Sequence, residues 1–305
     1  MKVFYHVDND GKCAGFWVKQ LAQHYDNYPL EFYKINYGMD FPFDEIQPNE
    51  QVYIVDYSIF PEEMDKLLEI TQDVVWIDHH QSAIKRYEGY AKDIRGIRLD
   101  GIAGCMLTYC FLKYMTNGGI GEIVNNFNIS MTQKAPMFTR LVADYDVWTF
   151  EYGLQTRQFS SGFQLYENEP ENEIWEELLN DSDEMLLDYI CKSGADIIQY
   201  RAKWAAEYCA TKGFDATLDG FKCFAINLAM VSSDDFDSID SENYDMFVGF
   251  SYDGKAWTYS LRSTKIDVSK IAMNYGGGGH AGAAGFSSEE LLLTPQNQDR
   301  TTEDK

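Results

Sequence analysis

Val74-Val75-Trp76-Ile77-Asp78-His79-His80 is the stretch of sequence that decides the fold. A short run of apolar residues without polar alternation is typical of a strand buried on both faces, as in a parallel sheet. The run stops on an acid and two imidazoles, so potential metal ligands stand where the strand ends. Ligands of open α/β sheets bind beyond the carboxyl ends of the strands, and we therefore expect a functional site here.

Two other predicted strands end in the same way. Residues 2–7 run into His6-Val7-Asp8-Asn9-Asp10-Gly11, and residues 51–55 run into Asp56. Side chains two apart on a strand share a face, so His6 and Asp8 point the same way, and Asp10 can join them at the turn. Together with His79 they form a hard site of mixed nitrogen and oxygen ligands, which suits Mn²⁺ or Mg²⁺. A carboxylate between two such clusters can bridge a metal pair about 3.5–4 Å apart.

Each of these residues alone has an ordinary explanation as a helix cap, a turn residue or a hydrogen-bonded histidine. The metal site is favoured because five of them stand at three successive strand ends.

Strands separated by helices through residues 1–150 predict a doubly wound parallel α/β sheet. Further strands are expected at residues 30–35 and 94–99, a helix at 61–70, and mostly helix from 102. We predict a first domain over residues 1–185 and a helical connector over 186–212. A smaller α+β domain is expected over 213–290, with strands at 221–228, 246–252 and 257–262, followed by a polar, frayed tail over 291–305.

The second predicted domain carries Gly276-Gly277-Gly278-Gly279-His280. Exposed amides of such a loop can wrap an anion, although a flexible turn is the more usual explanation of a glycine run. Arg262 ends a predicted strand nearby and could grip a phosphate with two hydrogen bonds, its alternative being a surface ion pair. His280 could stack on a base or bind a phosphate oxygen.

Charge and composition exclude several classes of protein. The 305 residues carry a formal net charge of −24, so the basic surface of a long-duplex binder is missing and an anionic substrate must be short. The six cysteines have no CxxC spacing, which predicts reduced core thiols. No apolar run approaches the ~20 residues of a membrane span, and the N-terminus is not a signal peptide, so we expect a cytoplasmic protein.

The sequence resembles the DHH phosphoesterases. His6-Val7-Asp8-Asn9-Asp10-Gly11, Asp56 in Val55-Asp56-Tyr57-Ser58, and Asp78-His79-His80 look like the first three motifs of that family. Residues 260–263, 266–268 and 276–285 look like its DHHA1 domain, so the resemblance spans nearly the whole chain. The H-x-D-x-D-G form of the first motif is similar to the nanoRNase and cyclic-nucleotide phosphodiesterase branch, whereas another branch has two more residues between His and the first Asp.

The resemblance implies a set of site residues. His6 and Asp8 would hold one Mn²⁺, Asp10 and His79 the other, and Asp56 would bridge, with Mg²⁺ or Co²⁺ as alternative metals. The family has one more aspartate ligand, for which Asp144 is preferred over Asp146 because an apolar run leads straight into it. Asp78 would orient an imidazole, and His80 would face the phosphate. The family's substrate-binding residues would correspond to Arg262, Ser263, Gly277, Gly278, Gly279 and His280.

These inferences predict a two-domain phosphohydrolase with its active site in the cleft between the domains. A metal-activated water would attack the phosphorus of a short oligonucleotide or of a cyclic, di- or mononucleotide. A polyphosphatase or pyrophosphatase with the same metal site, and a catalytically silent nucleotide sensor, are the alternatives. Long duplex nucleic acid and membranes are not expected as partners, and the oligomeric state stays open, a homodimer being one option.

Overall fold

The computed structural model describes residues 1–24, 29–115 and 129–296. Two compact units divide the chain, Met1–Ile197 and Ile198–Lys305. Within the described ranges, no helix combines the length and apolarity needed to cross a membrane.

The first unit alternates strands and helices up to its fourth strand and is helical from there on. Its elements are β1 (Lys2–His6), α1 (Asn9–His24), β2 (Glu31–Ile35), β3 (Val52–Val55), α2 (Pro61–Ile70), β4 (Val74–Ile77), α3 (Gln81–Arg86), α4 (Gly104–Met115), α5 (Met137–Asp146), α6 (Leu154–Phe163), α7 (Ile174–Asn180) and α8 (Met185–Lys212). The strands form a sheet in the order β2-β1-β3-β4, and every pair is parallel.

Alternate residues of these strands enter separate cores on the two faces of the sheet, as the period-2 geometry of a strand requires. On one face, Val55 and Ile77 pack with residues of α1 and α4. On the other face, Ile54 and Trp76 pack with Met64 and its neighbours on α2. The predicted doubly wound parallel sheet is confirmed.

The segment predicted as a fifth strand, residues 94–99, forms only two isolated bridges with its neighbour: Val75 with Arg95 and Asp78 with Arg98. The reason is Gly96, whose φ is +133° and whose backbone lies so close to β4 that a Cβ would be 1.9 Å from the carbonyl oxygen of Trp76. A regular ladder cannot continue through that conformation.

The second unit is an α+β structure, as predicted. Its elements are β5 (Phe214–Leu218), β6 (Phe221–Asn227), β7 (Met246–Tyr252), β8 (Trp257–Arg262), α9 (Val268–Asn274), β9 (Gly278–His280), β10 (Ala283–Ser288) and β11 (Thr294–Pro295). The strands form one mixed sheet, antiparallel except between β6 and β7, in the order β11-β5-β6-β7-β8-β10-β9. β5, β9, β10 and β11 were not predicted.

The helical connector expected at 186–212 corresponds to the single helix α8, and the division between the units falls inside it at Ile197 and Ile198. One predicted boundary needs a correction. The polar tail expected from 291 is wrong for its first residues, because Leu293 is buried and β11 pairs with β5. The prediction for 297–305 lies outside the described residues.

All six cysteines are buried and free, as predicted.

Helices α6 and α8 approach each other closely through two glycines. A Cβ on Gly162 would lie 2.0 Å from the carbonyl oxygen of Ile190, and one on Gly194 would lie 1.7 Å from that of Gln158. Only hydrogen fits at either position, so backbone contacts backbone at this crossing.

Gly194→Ala is therefore expected to destabilise the protein, since the added methyl group must push the two helices apart. We expect a loss of about 1–3 kcal/mol in the free energy of unfolding by urea denaturation, although alanine is the better helix former by up to ~1 kcal/mol. Lys192→Ala, an exposed change on the same helix, should stay within about 0.5 kcal/mol of the wild type. Equal stability of Gly194→Ala and the wild type would contradict the close approach.

Candidate metal centre

The candidate site lies where three parallel strands end. His6 is the last residue of β1, Asp56 follows β3, and Asp78 follows β4. Parallel pairing of β1 with β3 and of β3 with β4 brings these ends to one edge of the sheet. Asp8 and Asp10 follow β1 directly, Asp10 in the first turn of α1.

The backbone at this edge is unusually tight. Asp56 has a φ of +54°, a left-handed conformation that is uncommon for a residue with a side chain and often accompanies functional sites. A Cβ on Gly104 would lie 2.7 Å from Cβ of Asp56, and one on Gly11 would lie 2.3 Å from the carbonyl oxygen of His6. Larger residues at 11 or 104 would force the ligands apart.

Asp10 is held from the other side by the start of α4. The backbone N–H groups of Gly104 and Cys105 donate to its two carboxylate oxygens at 2.6 and 2.9 Å. A helix N-terminus favours a negative charge, so α4 fixes the carboxylate and stabilises its ionised form. Nothing in the sequence pattern indicated these two donors.

Asp56 stands between two groups of potential ligands. Its Oδ2 lies 3.6 Å from Nδ1 of His6, which is also 2.6 Å from Oδ2 of Asp8. Its Oδ1 lies 3.1 Å from Nε2 of His79. The two oxygens of one carboxylate thus face opposite sides of the cluster, which is the arrangement that a bridging ligand needs.

The second group lies around His79. Its Nε2 is 3.7 Å from Oδ2 of Asp10 and 3.3 Å from Oδ2 of Asp146. Three sets of side chains therefore have ligand atoms within 4.8 Å of one another: His6, Asp8 and Asp56; Asp10, His79 and Asp146; and Asp56, His79 and His80.

Burial and mutual repulsion shift the ionisation of these groups. Burial, together with the charge of Asp56, raises the pKa of Asp10 to about 8. Burial, together with Asp10, raises the pKa of Asp146 to about 8. Burial and the charge of Asp8 likewise raise the pKa of Asp56. Against the cost of burial, the adjacent carboxylates of Asp56 and Asp8 raise the pKa of His6 to about 11.

The cluster fits a divalent cation. Both carboxylate oxygens of Asp56 and Oδ2 of Asp146 are buried without a well-formed hydrogen bond, and their near neighbours are the imidazoles of His6 and His79. Buried polar atoms of this kind are rare and need an explanation such as a bound ion. Carboxylates with a few imidazoles are the ligand set of Mn²⁺ and Mg²⁺ rather than of a thiolate-bound metal.

Asp78 orients the histidines and is not in any of the three ligand sets. It is fully buried, and its Oδ1 accepts from the backbone N–H of His79 and lies 2.7 Å from Nδ1 of His80. The hydroxyl of Ser58 donates to its other oxygen. Although burial disfavours the charged imidazole, the bond to Asp78 raises the pKa of His80 to about 9. Ser58, two residues after Asp56, is an orienting residue that the sequence analysis did not single out.

The structure places Asp146 beside His79, and not Asp144, which the sequence analysis preferred. Asp144 faces away from the cluster and accepts from the hydroxyls of Thr149 (2.5 Å) and Thr156. The backbone N–H groups of Glu151 and Tyr152 donate to it at 2.7 and 3.2 Å. Its carboxylate thus ties the α5–α6 loop to the end of α5. Asp146, the second candidate of the sequence analysis, takes the place beside His79.

The predicted substrate-binding residues of the second unit are mostly engaged in holding its fold. Arg262 donates to the carbonyl oxygens of Leu261 and Val231, each at 2.8 Å. The hydroxyl of Ser263 donates to the carbonyl of Asp245 at 2.7 Å and accepts from two backbone amides of the following turn. Both terminal guanidinium nitrogens of Arg262 are thus hydrogen-bonded to backbone carbonyls in this conformation.

The glycine run is part of the sheet. Gly278–His280 form β9 against β10. A Cβ on Gly277 would lie 2.2 Å from the carbonyl oxygen of Gly285, and Gly279 has a φ of +139°. Close packing therefore explains two of the glycines, whereas Gly278 and His280 are exposed.

Comparison with known proteins agrees with this architecture. A family model described as the DHHA1 domain matches residues 232–303. The uncharacterized protein R106 of Acanthamoeba polyphaga mimivirus is 25% identical over 274 residues, covering 83% of this chain and 56% of that protein. The chain thus spans just over half the length of this curated relative.

Two solved structures share the fold. RecJ from Thermus thermophilus in complex with Mn²⁺ has a TM-score of 0.53 at 15% identity, covering 95% of this chain and 50% of that chain. Exonuclease RecJ bound to manganese has a TM-score of 0.52 at 15% identity, covering 95% of this chain and 86% of that chain. At these identities the likeness establishes the fold alone.

A doubly wound sheet with a histidine–aspartate cluster at its carboxyl edge, followed by a DHHA1 domain, defines a class of two-unit proteins. Residues 232–303 match the DHHA1 domain, and the chain shares its fold with the RecJ structures.

The crowded acids predict how stability depends on pH without metal. In the folded chain the pKa of Asp10 and of Asp146 is about 8 rather than 3.8, so folding takes up protons between these values and stability falls as the pH rises. His6 and His80, whose pKa values are also raised, act in the same direction above about pH 6.5. In the presence of a chelator, we expect the melting temperature to fall between about pH 5 and 8.

Asp146→Asn should make this fall shallower, because it removes one of the titrating groups, and Mn²⁺ should restore the melting temperature at the upper end of the range. Scanning calorimetry of the wild type and Asp146→Asn, with chelator and with Mn²⁺, measures the melting temperature across this pH range. A melting temperature that rises with pH in chelator would contradict the described charge distribution.

Asp144→Asn should instead lower stability with or without metal, because the amide cannot accept all four of the present hydrogen bonds. Loss of a hydrogen bond to a charged group costs about 1.5–3 kcal/mol in the free energy of unfolding. Urea denaturation of Asp144→Asn and Asp146→Asn measures the difference in their free energies of unfolding. Equal stability of the two variants would contradict the separate roles of these aspartates.

Proposed function

We propose that the protein is a divalent-metal-dependent phosphoester hydrolase acting on short oligonucleotides or on cyclic, di- or mononucleotides. The observation that carries this proposal is the position of Asp56, whose two buried oxygens face His6 on one side and His79 on the other. The fold family supports the reaction class, and the ligand groups support the metal requirement.

We propose two Mn²⁺ as the resident metals, with Mg²⁺ or Co²⁺ as alternatives. His6 and Asp8 would hold one, Asp10, His79 and Asp146 the other, and Asp56 would contribute to both. Bound metals supply positive charge that polarises a phosphoryl oxygen and assists attack by water. The manganese complexes of the two RecJ structures support the choice of this metal.

His80 is the proposed proton donor. Its Nδ1 is engaged by Asp78, which leaves Nε2 as the nitrogen that can give a proton to the leaving oxygen. Without bound metal, a pKa of about 9 keeps this imidazole protonated at neutral pH. Asp78 therefore has a positioning role, since it fixes both the orientation and the charge of His80.

The net charge of −24 favours short substrates, because a long polyanion would be repelled beyond its local contacts. We propose that the second unit binds the nucleotide through exposed Gly278 and His280, and that Arg262 takes part only after exchanging its bonds to backbone carbonyls. We propose that the protein is related to the nanoRNase and cyclic-nucleotide phosphodiesterase branch, because its first motif has the H-x-D-x-D-G form.

The substrate is tested with a panel of pApA, other short RNAs, cyclic dinucleotides, 3′-phosphoadenosine 5′-phosphate and polyphosphate, assayed with Mn²⁺. We expect turnover of at least one nucleotide in preference to polyphosphate. Hydrolysis of polyphosphate alone would favour the polyphosphatase alternative. Bound metal without turnover of any member would favour a silent nucleotide sensor, and either result would overturn the proposal.

Asp56→Asn should abolish hydrolysis while leaving the protein folded, because the amide cannot bridge two cations with a shared negative charge. We expect a loss of at least about 100-fold in kcat/KM, the scale of the loss when a group that stabilises transition-state charge is removed. Circular dichroism checks the fold. Asp188→Asn, the same change at an exposed position on α8, is the control and should retain full activity. Wild-type rates in Asp56→Asn would refute the bridging role.

His280→Ala should raise KM more than it lowers kcat, because an interaction equally strong in the ground and transition states contributes to binding only. Its side chain is exposed, so truncation leaves the core of the second unit intact. Steady-state kinetics measures KM and kcat of this variant. Glu289→Ala, which changes an exposed residue nearby in sequence, is the control. An unchanged KM would remove His280 from the substrate site.

A further inference from the structure

A cavity of about 290 Å³ lies beside the proposed metal centre, within the first unit. Its volume is close to the lower end of the range of small-molecule sites, about 300–1,000 Å³. One wall consists of Asp8, Asp10 and Asp146, all residues of the ligand groups. The cavity is therefore adjacent to the place where the metal centre would hold a phosphate.

The remaining walls come from α5, α6 and the loop between them. Leu141, Val142 and Phe159 are buried apolar side chains, and Ser160 and Gln164 add a hydroxyl and an amide. No lysine or arginine is among the described residues that line the cavity. A second phosphate would find no positive charge here, whereas a neutral ring with a polar edge would find both apolar contact and hydrogen-bonding groups.

Trp148 lies at this cavity with more than half of its side chain exposed, at 56%. Tyr145, also a lining residue, meets it edge to face, with ring centroids 5.2 Å apart. Phe150 supports the indole from another side, with centroids 4.7 Å apart. An exposed indole backed by two other rings offers a face on which a flat ring can stack.

The loop holds this indole in a fixed and costly conformation. Trp148 and Phe150 both have positive φ, +60° and +50°, which is rare for bulky residues. The four hydrogen bonds to Asp144 fix the loop on both sides of Phe150. Strained residues persist when their surroundings over-determine them, so the aromatic platform is preorganised.

We propose that this cavity is a nucleobase subsite, in which one base of the substrate stacks on Trp148 and presents its polar edge to Ser160 and Gln164. The inference rests on the proposed function and narrows it: the preferred substrate is a nucleotide whose base lies next to the phosphate held at the metal centre, and polyphosphate leaves the subsite unused.

The test compares Trp148→Ala and Trp148→Phe with the wild type on pApA in the presence of Mn²⁺. Loss of one base–aromatic stack corresponds to about 5- to 150-fold, so we expect KM for pApA to rise by this factor in Trp148→Ala and by less in Trp148→Phe. Two analogues of pApA, each lacking one of the two bases, show which base stacks on Trp148. The effect of Trp148→Ala on KM should vanish for the analogue that lacks that base. Leu154→Ala, which changes a more exposed apolar residue on α6 that does not line the cavity, is the control and should match the wild type.

A binding measurement separates this inference from the proposed function. Titration with adenosine 5′-monophosphate and Mg²⁺ should quench the tryptophan fluorescence of the wild type saturably, and Trp148→Phe should lose most of that quenching. Hydrolysis of pApA with the same KM in wild type and Trp148→Ala would overturn the subsite and leave the hydrolase intact. Saturable quenching without hydrolysis of any nucleotide would support the subsite and overturn the hydrolase.

Discussion

The structure depends on an electrostatic constraint: several carboxylates are buried within a few ångströms of one another at the end of a sheet. Such a cluster is costly unless positive charge is close by, and burial together with mutual repulsion raises the pKa of Asp10, Asp56 and Asp146. The surrounding backbone is built to impose this crowding. Gly11 and Gly104 allow main chain to approach where any side chain would collide, and Asp56 adopts a left-handed conformation. A divalent cation accounts for all of these features together.

Helix α5 links this cluster to the neighbouring cavity. Asp144 and Asp146 are two residues apart, which turns their side chains about 200° from each other around the helix. One faces the ligand groups and the other holds the aromatic loop that follows. A single turn of α5 therefore positions both a residue of the proposed metal centre and the loop of the proposed base subsite. The distance between these two sites is fixed by a rigid helix.

Much of the fold and of the site could be predicted because strands impose strong local rules. The ends of β1, β3 and β4 carry His6, Asp56 and His79, and parallel pairing alone makes neighbours of them. The choice between Asp144 and Asp146 could not be made in this way, since it depends on which side of α5 faces the ligand cluster. The run of apolar residues before Asp144 marked buried helix, and burial alone does not distinguish an anchor from a ligand.

Other features were hidden because they come from contacts between distant parts of the chain. The donors of Gly104 and Cys105 to Asp10 join residues 94 and 95 positions apart in sequence. The glycines near His280 suggested an anion loop, yet packing of β9 on β10 requires two of them. Trp148 was not singled out in the sequence, and only the cavity beside Asp146 indicates a role for it.

The most direct test of the account is the number of divalent ions that one chain binds. Electron paramagnetic resonance of free Mn²⁺, titrated into the metal-free protein at neutral pH, counts the bound ions. The account predicts two ions per chain, since two ligand groups share Asp56. A protein that leaves all added Mn²⁺ free in solution would contradict it.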